Sequence, residues 1–428
     1  MPSTTSNPAV RKLPAYNRLK PGPGQSASQV SLHQRERIHR AMIQLVAEDG
    51  YGSVTVRKLA RLAGVSTGTF YSHFDGKEDC FVASCSLEMD QICEQVRSTR
   101  SPVRDREAQF SSLVEAFAES LSAAPEGARM ALVDAFRGGP AALTRIRRFE
   151  TALDEVVRRT LDRRGSRVAS VSTGWVAAGL LRVARRWTLE EQQGELLGAL
   201  TGWDAASVLI DACEPLPVKD ATSENLVAPE FGQVAIDDHD LILIALIKLA
   251  KANGYWSLSV PQICSSAGVS AARFRRHFAS LEECYAAAMR TLASRYFEEI
   301  TRPATVTSAL PSWHRRVEAE VSNLCRTVAG DPSLARLLFL GIVEAGVEGL
   351  RCRERMIGEL AAAWRGSVPS SVRPTAVAAE ASMAALWEAI RRDLELDRLS
   401  PTDESTAMWT RLLIASTRDK KHSSALLD

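Results

Sequence analysis

The chain has 428 residues, of which 45% are hydrophobic and 24% charged; 53 Lys plus Arg face 51 Asp plus Glu, for a formal net charge of +2. These proportions exclude a largely disordered, collagenous or membrane-spanning chain and suit two or more globular domains. So even a balance argues neither for nor against nucleic acid, and any basic surface has to be local.

Residues 1–30 hold prolines 2, 8, 14, 21 and 23 together with Arg11, Lys12, Arg18 and Lys20, and no acidic residue. They read as a disordered basic arm or as an inert solvated tail. No signal-peptide core follows Met1, and the apolar run Leu241 to Ile247 stops at Lys248, far short of the ~20 residues that span a bilayer. A cytoplasmic protein without membrane contact is expected. The eight cysteines form no Cys-x-x-Cys pair and the seven histidines are scattered. Reduced, mostly buried thiols are expected, with no metal site and no cofactor.

The first half reads as helix nearly throughout. Ile38, Met42, Leu45 and Val46 have the spacing of an amphipathic helix, which Gly50 should end with a left-handed cap. Thr55 sits where an N-cap belongs, before a short helix with Val56, Leu59, Ala60 and Ala63 on one face. Gly64 breaks that helix, and Ser66 can cap the next, which carries Phe70 and Phe74. Phe81, Cys85, Met89 and Ile92 mark a longer helix, and Ala- and Leu-rich helices are predicted at 108–124, 128–138, 141–163, 169–187 and 195–212. Residues 214–237, with Pro215, Pro217 and Pro229, read as a linker.

The same plan then returns. At a shift of 204 positions, Gly50-Tyr51 falls on Gly254-Tyr255, Ala63-Gly64-Val65-Ser66 on Ala267-Gly268-Val269-Ser270, His73-Phe74 on His277-Phe278 and Cys80 on Cys284, without a gap. Further on, Arg185-Arg186 meets Arg391-Arg392 at a shift of 206. A unit of about 190 residues is too large for a solenoid repeat, so two complete domains in tandem are predicted. Ser259 takes the place of the Thr55 cap, Gly268 makes the turn and Ser270 caps; more helix runs from about 313 to 417.

Helix, turn with glycine, helix is a helix-turn-helix. Small Ala60 and Ala63 let the two helices approach, Gly64 supplies the turn, and Val65 and Phe70 plug the angle. Thr67, Thr69, Tyr71, Ser72 and His73 remain on the outer side of a short helix, a hydrogen-bonding face suited to a major groove. Lys77 follows within reach of a phosphate.

Thr55-Val56-Arg57-Lys58-Leu59-Ala60, Ala63-Gly64-Val65-Ser66-Thr67-Gly68-Thr69-Phe70-Tyr71-Ser72-His73-Phe74 and Lys77-Glu78 together resemble the N-terminal domain of TetR/AcrR-type transcriptional regulators. The resemblance covers about 50 residues. It implies an all-α fold, a double-stranded DNA operator as partner, and a variable helical body that binds a small-molecule effector and dimerises through its last two long helices. It implies Thr55, Arg57, Ser66, Thr67, Thr69, Tyr71, Ser72, His73 and Lys77 as DNA-binding residues. Tyr71 and His73 would touch phosphate or a thymine methyl, and Lys77 phosphate.

The layout expected is therefore the arm 1–30, a first helix-turn-helix domain 31–85, a first helical body 86–213, the linker 214–237, a second, divergent helix-turn-helix domain 238–289, a second body 290–420 and a tail 421–428. The divergence is chemical. Thr67-Gly68-Thr69 becomes Ala271-Ala272-Arg273, Tyr71-Ser72 becomes Arg275-Arg276, Lys77 becomes Leu281 and Arg57 becomes Pro261, while His277 survives. Either Arg273, Arg275, Arg276 and His277 form a new DNA-binding face, or this motif has stopped reading DNA and its arginines are solvated surface.

The function expected is a DNA-binding regulator, a ligand-responsive repressor in which the two bodies pair through 169–187 with 195–212 and 376–395 with 405–417 into an intrachain pseudo-dimer. Further association of two chains stays open. The rival is a ligand-binding or scaffold protein with vestigial heads. No Gly-x-Ser-x-Gly, phosphate-cradling loop or metal cluster points to an enzyme.

Overall fold

A computed structural model describes residues 26–98, 106–161, 170–190, 196–201, 237–301, 312–397 and 404–417. Most of the predicted arm, nearly all of the linker, the tail and most of the helix expected at 195–212 lie outside the described residues. Among those described, every regular element is helical and none is a strand. None of these helices is long and apolar enough to cross a membrane. The chain forms two compact units, Met1–Ser84 and Cys85–Asp428.

The first unit opens with α1 (Ala27–Asp49). Its start corrects the predicted arm, because residues 26–30 are the cap and first turn of this helix. Ser26 Oγ accepts the Gln29 N–H at 3.2 Å, while Gln29 Oε1 accepts the Ser26 N–H at 2.9 Å. This reciprocal pair satisfies two of the donors that a helix start leaves open. Gly50 ends α1 with φ 76° and ψ 152°. That is an extended conformation with positive φ, not the left-handed cap expected, and it is still accessible essentially to glycine alone.

A 3₁₀ turn (Tyr51–Ser53), α2 (Val56–Ala63) and α3 (Thr67–Tyr71) follow. Then α4 (Lys77–Ser98) runs unbroken through the boundary expected at 85/86. Ile38, Met42, Leu59, Phe70 and Phe81 are completely buried in this unit. Each large apolar side chain removed from water in this way stabilises the head by ~1.5–3 kcal/mol.

The second unit contains α5 (Arg106–Ala123), α6 (Pro125–Leu132), a 3₁₀ turn (Asp134–Arg137), α7 (Gly139–Leu161), α8 (Ser170–Leu189) and α9 (Leu196–Thr201). The single helix expected at 128–138 is thus two pieces, broken at Val133 (φ −124°, ψ −59°). The same order then recurs as α10 (Asp238–Asn253), a 3₁₀ turn (Tyr255–Ser257), α11 (Val260–Ala267), α12 (Ala271–His277) and α13 (Leu281–Thr301). It continues as α14 (Trp313–Gly330), α15 (Pro332–Phe339), a 3₁₀ turn (Gly341–Ala345), α16 (Gly346–Ser367), α17 (Ala376–Glu395) and α18 (Glu404–Ala415). The boundary expected at 289/290 falls inside α13.

The most extensive helix pairing joins α8 to α17; α7 packs on α8 and α16 on α17. The α8–α17 contact joins two of the helices expected to pair the bodies, but α7 and α16 complete this four-helix layer in the places expected for 195–212 and 405–417. Instead, α9 packs on α5 and α8, and α18 on α14 and α17. The reason lies in the side chains. α8 buries Trp175, Val176, Leu180 and Ala184, and α17 buries Ala381, Met383, Trp387 and Ile390, so both are apolar on wide arcs and need partners on two sides. Trp409, Leu412 and Leu413 of α18 are buried too.

Polar groups cross the same layer. Arg182 pairs with Glu354 and lies 3.3 Å from Glu380; Arg186 reaches Glu380 at 2.5 Å; Arg185 meets Glu150 at 2.8 Å. Arg391 bridges Glu150 at 3.3 Å, Glu388 at 2.5 Å and Glu395 at 2.9 Å. Burial raises the pKa of Glu354, but the fields of Arg182, Arg353 and Arg185 overcome it and hold the carboxyl below its usual range. The cavity among these groups, about 20 Å³, is water-sized.

Candidate nucleic-acid interface

In the first head, local chemistry sets the angle between α2 and α3. Thr55 Oγ1 accepts the Lys58 N–H at 3.2 Å and starts α2. Gly64, at φ 64° and ψ 38°, ends it in the left-handed conformation, and the Val65 N–H returns to the Ala60 carbonyl at 2.9 Å. Ser66 Oγ accepts the Thr69 N–H at 2.9 Å and starts α3. The Arg37 guanidinium donates to the carbonyls of Ala63 and, at 2.9 Å, Gly64, fastening the turn to α1. Phe70 is fully buried, whereas Val65 is only half-buried and seals the angle less than expected.

This scaffold leaves one face of α3 in solvent. Thr67, Tyr71 and Ser72 are exposed, and Tyr71 retains 58% of its accessible surface. Arg57 and Thr55 are exposed beside them, and Thr69 is half-buried. Four hydroxyls are engaged locally: Thr55 and Ser66 as caps, Thr69 with Ser66 Oγ at 2.9 Å, and Ser72 as donor to the Thr69 carbonyl at 2.7 Å. His73 is half-buried, with Nε2 3.3 Å from Gln34 Oε1, and burial followed by the nearby Arg35 charge lowers its pKa. Lys77 places its ammonium 4.4 Å from the centre of the Tyr51 ring, a cation–π contact.

Gln34 and Arg37 carry no motif of their own, and Tyr51 stands out in the sequence only as a repeat match, so patterns alone do not place them at this face. Behind the face, a hydrogen-bond chain ties α1 to α4. Arg35 Nε donates to His39 Nε2 at 3.4 Å, His39 Nδ1 lies 2.8 Å from Ser84 Oγ, and Ser84 donates to the Cys80 carbonyl at 2.8 Å. A donor at Nε2 and an acceptor at Nδ1, since the Ser84 hydroxyl spends its proton on Cys80, fix His39 as the neutral Nδ1–H tautomer. Burial, then Arg35 and His73, pushes its pKa down to about 4.

The second head keeps the angle and changes the surface. Gly268 is left-handed at φ 69° and Ser270 Oγ accepts the Arg273 N–H at 3.2 Å. Ser259, however, does not cap α11 with its side chain. Pro261 in the first turn supplies no N–H, and the Ser259 hydroxyl donates to Gln262 Oε1 at 2.7 Å instead. Arg273 is drawn back onto α10, 2.5 Å from Asp238. Asp238 stands 204 positions after Gln34, while Arg273 stands at the place of Thr69 and not of His73, so the same position on the first helix ties a different residue of the third, by an ion pair. Arg275, Arg276 and His277 remain exposed. Asp237, His239 and Asp240 cluster nearby, with Asp237 capping α10 by accepting the Asp240 N–H at 2.9 Å.

A buried, αL-turned helix pair presenting a polar third helix defines the helix-turn-helix class of DNA-binding domain. Residues 38–83 match the family described as bacterial regulatory proteins, tetR family. The chain is 38% identical over 56 residues to the fatty acid metabolism regulator protein of Bacillus subtilis, covering 13% of this chain and 29% of that one. It is 32% identical over 89 residues to the nucleoid occlusion factor SlmA of Marinobacter nauticus, covering 20% and 46%. The chain thus spans less than half the length of these curated relatives. Among solved structures, the fatty acid degradation regulator FadR of Bacillus halodurans is similar with 21% identity, 45% of this chain, 97% of that chain and a TM-score of 0.34.

Proposed function

We propose that this protein is a DNA-binding transcriptional regulator whose α3 enters a major groove. The observation that carries the reading is the exposed row Thr67, Tyr71 and Ser72 on a helix locked by Gly64 and Arg37, inside the segment that matches the tetR family. Thr55, Arg57, Thr69, His73 and Lys77 flank that row and supply phosphate or base contacts. α4 is one unbroken helix from Lys77 to Ser98, so a shift at its far end moves Lys77 as well. That coupling suits a ligand-responsive repressor, with a small-molecule effector held by the helical bodies.

In this reading the chain is two tandem family units, and α8 against α17 makes it a pseudo-dimer in one polypeptide, with no dependence on protein concentration. The second head is a weaker partner. Its α11 has no charged residue, Arg273 is occupied by Asp238, and Arg275 and Arg276 grip phosphate. Selection of bound genomic fragments, followed by a salt titration, tests the whole. A selected duplex preferred over random competitor at physiological salt is expected; no preference sinks the reading and leaves a scaffold with vestigial heads. Arg275→Ala with Arg276→Ala should lower the salt slope by ~1–2 while the selected sequence is unchanged.

A further inference from the structure

The four-helix layer is charged unequally. α8 carries Arg182, Arg185 and Arg186 and no carboxylate between Ser170 and Leu189. Arg182 finds its partners Glu354 and Glu380 on α16 and α17, and Arg186 also reaches Glu380. In the same direction Arg147 lies 3.2 Å from Glu395, and in the other Arg391 reaches Glu150 at 3.3 Å and Arg392 lies 3.6 Å from Asp154. Arg182 and Arg185 are 4% and 3% exposed, so water does little to screen them.

Such a surface cannot be satisfied by its own copy. With α8 laid against a second α8, Arg182 and Arg186 would lose every partner they have on α16 and α17, because at the 206-residue register Gly174 stands in the place of Glu380 and α8 offers no carboxylate. Buried ion pairs add little net stability over apolar packing, but a buried charge left without its partner is strongly unfavourable. Their effect is therefore on partner choice, through the mismatched alternative.

We propose that the array is an address: the bundle face of the first half accepts the second half and rejects a second copy of itself. This rests on the intrachain pairing proposed above and names what selects it. The partner surface is defined chemically, as a face that presents carboxylates at the places of Glu354 and Glu380 to the arginines of α8.

The test uses full-length chains. One carries Arg182→Glu with Arg186→Glu, a second carries Glu354→Arg with Glu380→Arg, and a third carries all four substitutions. Each two-substitution chain has like charges across its own layer and is expected to lose the monomeric wild-type position in sedimentation, by opening, self-association or failure to fold. Co-expressed, these two chains complement each other at both layers and should be recovered as a 1:1 complex of twice the chain mass of 46.7 kDa. The four-substitution chain should return to the monomer position.

The address is overturned if either two-substitution chain stays a monomer with wild-type melting. It is equally overturned if neither co-expression nor the four-substitution chain restores a discrete species. Wild-type sedimentation separates the two proposals. A tight wild-type homodimer sinks the intrachain pairing, whereas a wild-type monomer with unperturbed variants sinks only the address.

Discussion

Arg185 and Arg391, at matching places in the two halves, converge on one carboxylate: Glu150 accepts from Arg185 at 2.8 Å and from Arg391 at 3.3 Å. Arg391 also has Glu388 and Glu395, so the loss of Glu150 falls chiefly on Arg185. Glu150→Gln should lower the unfolding free energy by about 3 kcal/mol, the scale of breaking a buried pair on one side. Glu190→Gln, on the half-exposed Arg186, should change it by less than ~1 kcal/mol. Urea unfolding followed by circular dichroism compares the two.

Acid should weaken the first head through His39. Its folded pKa of about 4 lies below the ordinary 6.5, so the unfolded chain binds the extra proton first. The contribution is complete above pH 6.5 and is lost as pH falls toward 4, by about 3 kcal/mol in all. His39→Gln should flatten this part of the pH dependence. An unchanged slope between pH 6.5 and 4.5 in thermal melts would argue against a buried neutral imidazole.

Tyr71→Ala should separate binding from stability. The ring is mostly in solvent, so melting should move little, while affinity for a selected duplex should fall by ~1–3 kcal/mol if it makes a base contact. Fluorescence anisotropy with labelled duplex reads the change. Ser66→Ala should instead cost ~1 kcal/mol of head stability through the lost cap on Thr69 N–H.

In α16, Gly349 lies against the carbonyl of Ile342, and a Cβ at Gly349 would collide with that backbone oxygen. Gly349→Ala should destabilise by several times the cost of an ordinary helix substitution, whereas Gly366→Ala, with open space around it, should be neutral or stabilise by up to ~1 kcal/mol. Differential scanning calorimetry of both variants decides the matter.

The first head was legible because its signals are local. Thr55, Gly64 and Ser66 each act within four residues of themselves, and spacing alone places them. Ser259 misled because its fate was set by Pro261 removing a donor and by Gln262 offering an acceptor, a competition between neighbours that residue type does not decide. Gln34 and Asp238 were within reach, since the 204-residue register maps one onto the other. The pairing of α8 with α17 was only half legible. Periodicity shows that both helices have apolar faces, but Arg182 and Glu354 stand 172 residues apart, and nothing in either segment names the other.

The second head is anchored where it meets its own body. Lys251 reaches Asp331 at 2.6 Å, and Glu344 accepts the backbone N–H of Tyr255. Amides of α10 and α11 should therefore exchange with deuterium at rates approaching those of the helices beneath them, so that the slowest-opening region of this molecule extends into one of its two heads. A protease that finds a way to clip the chain would release that head last.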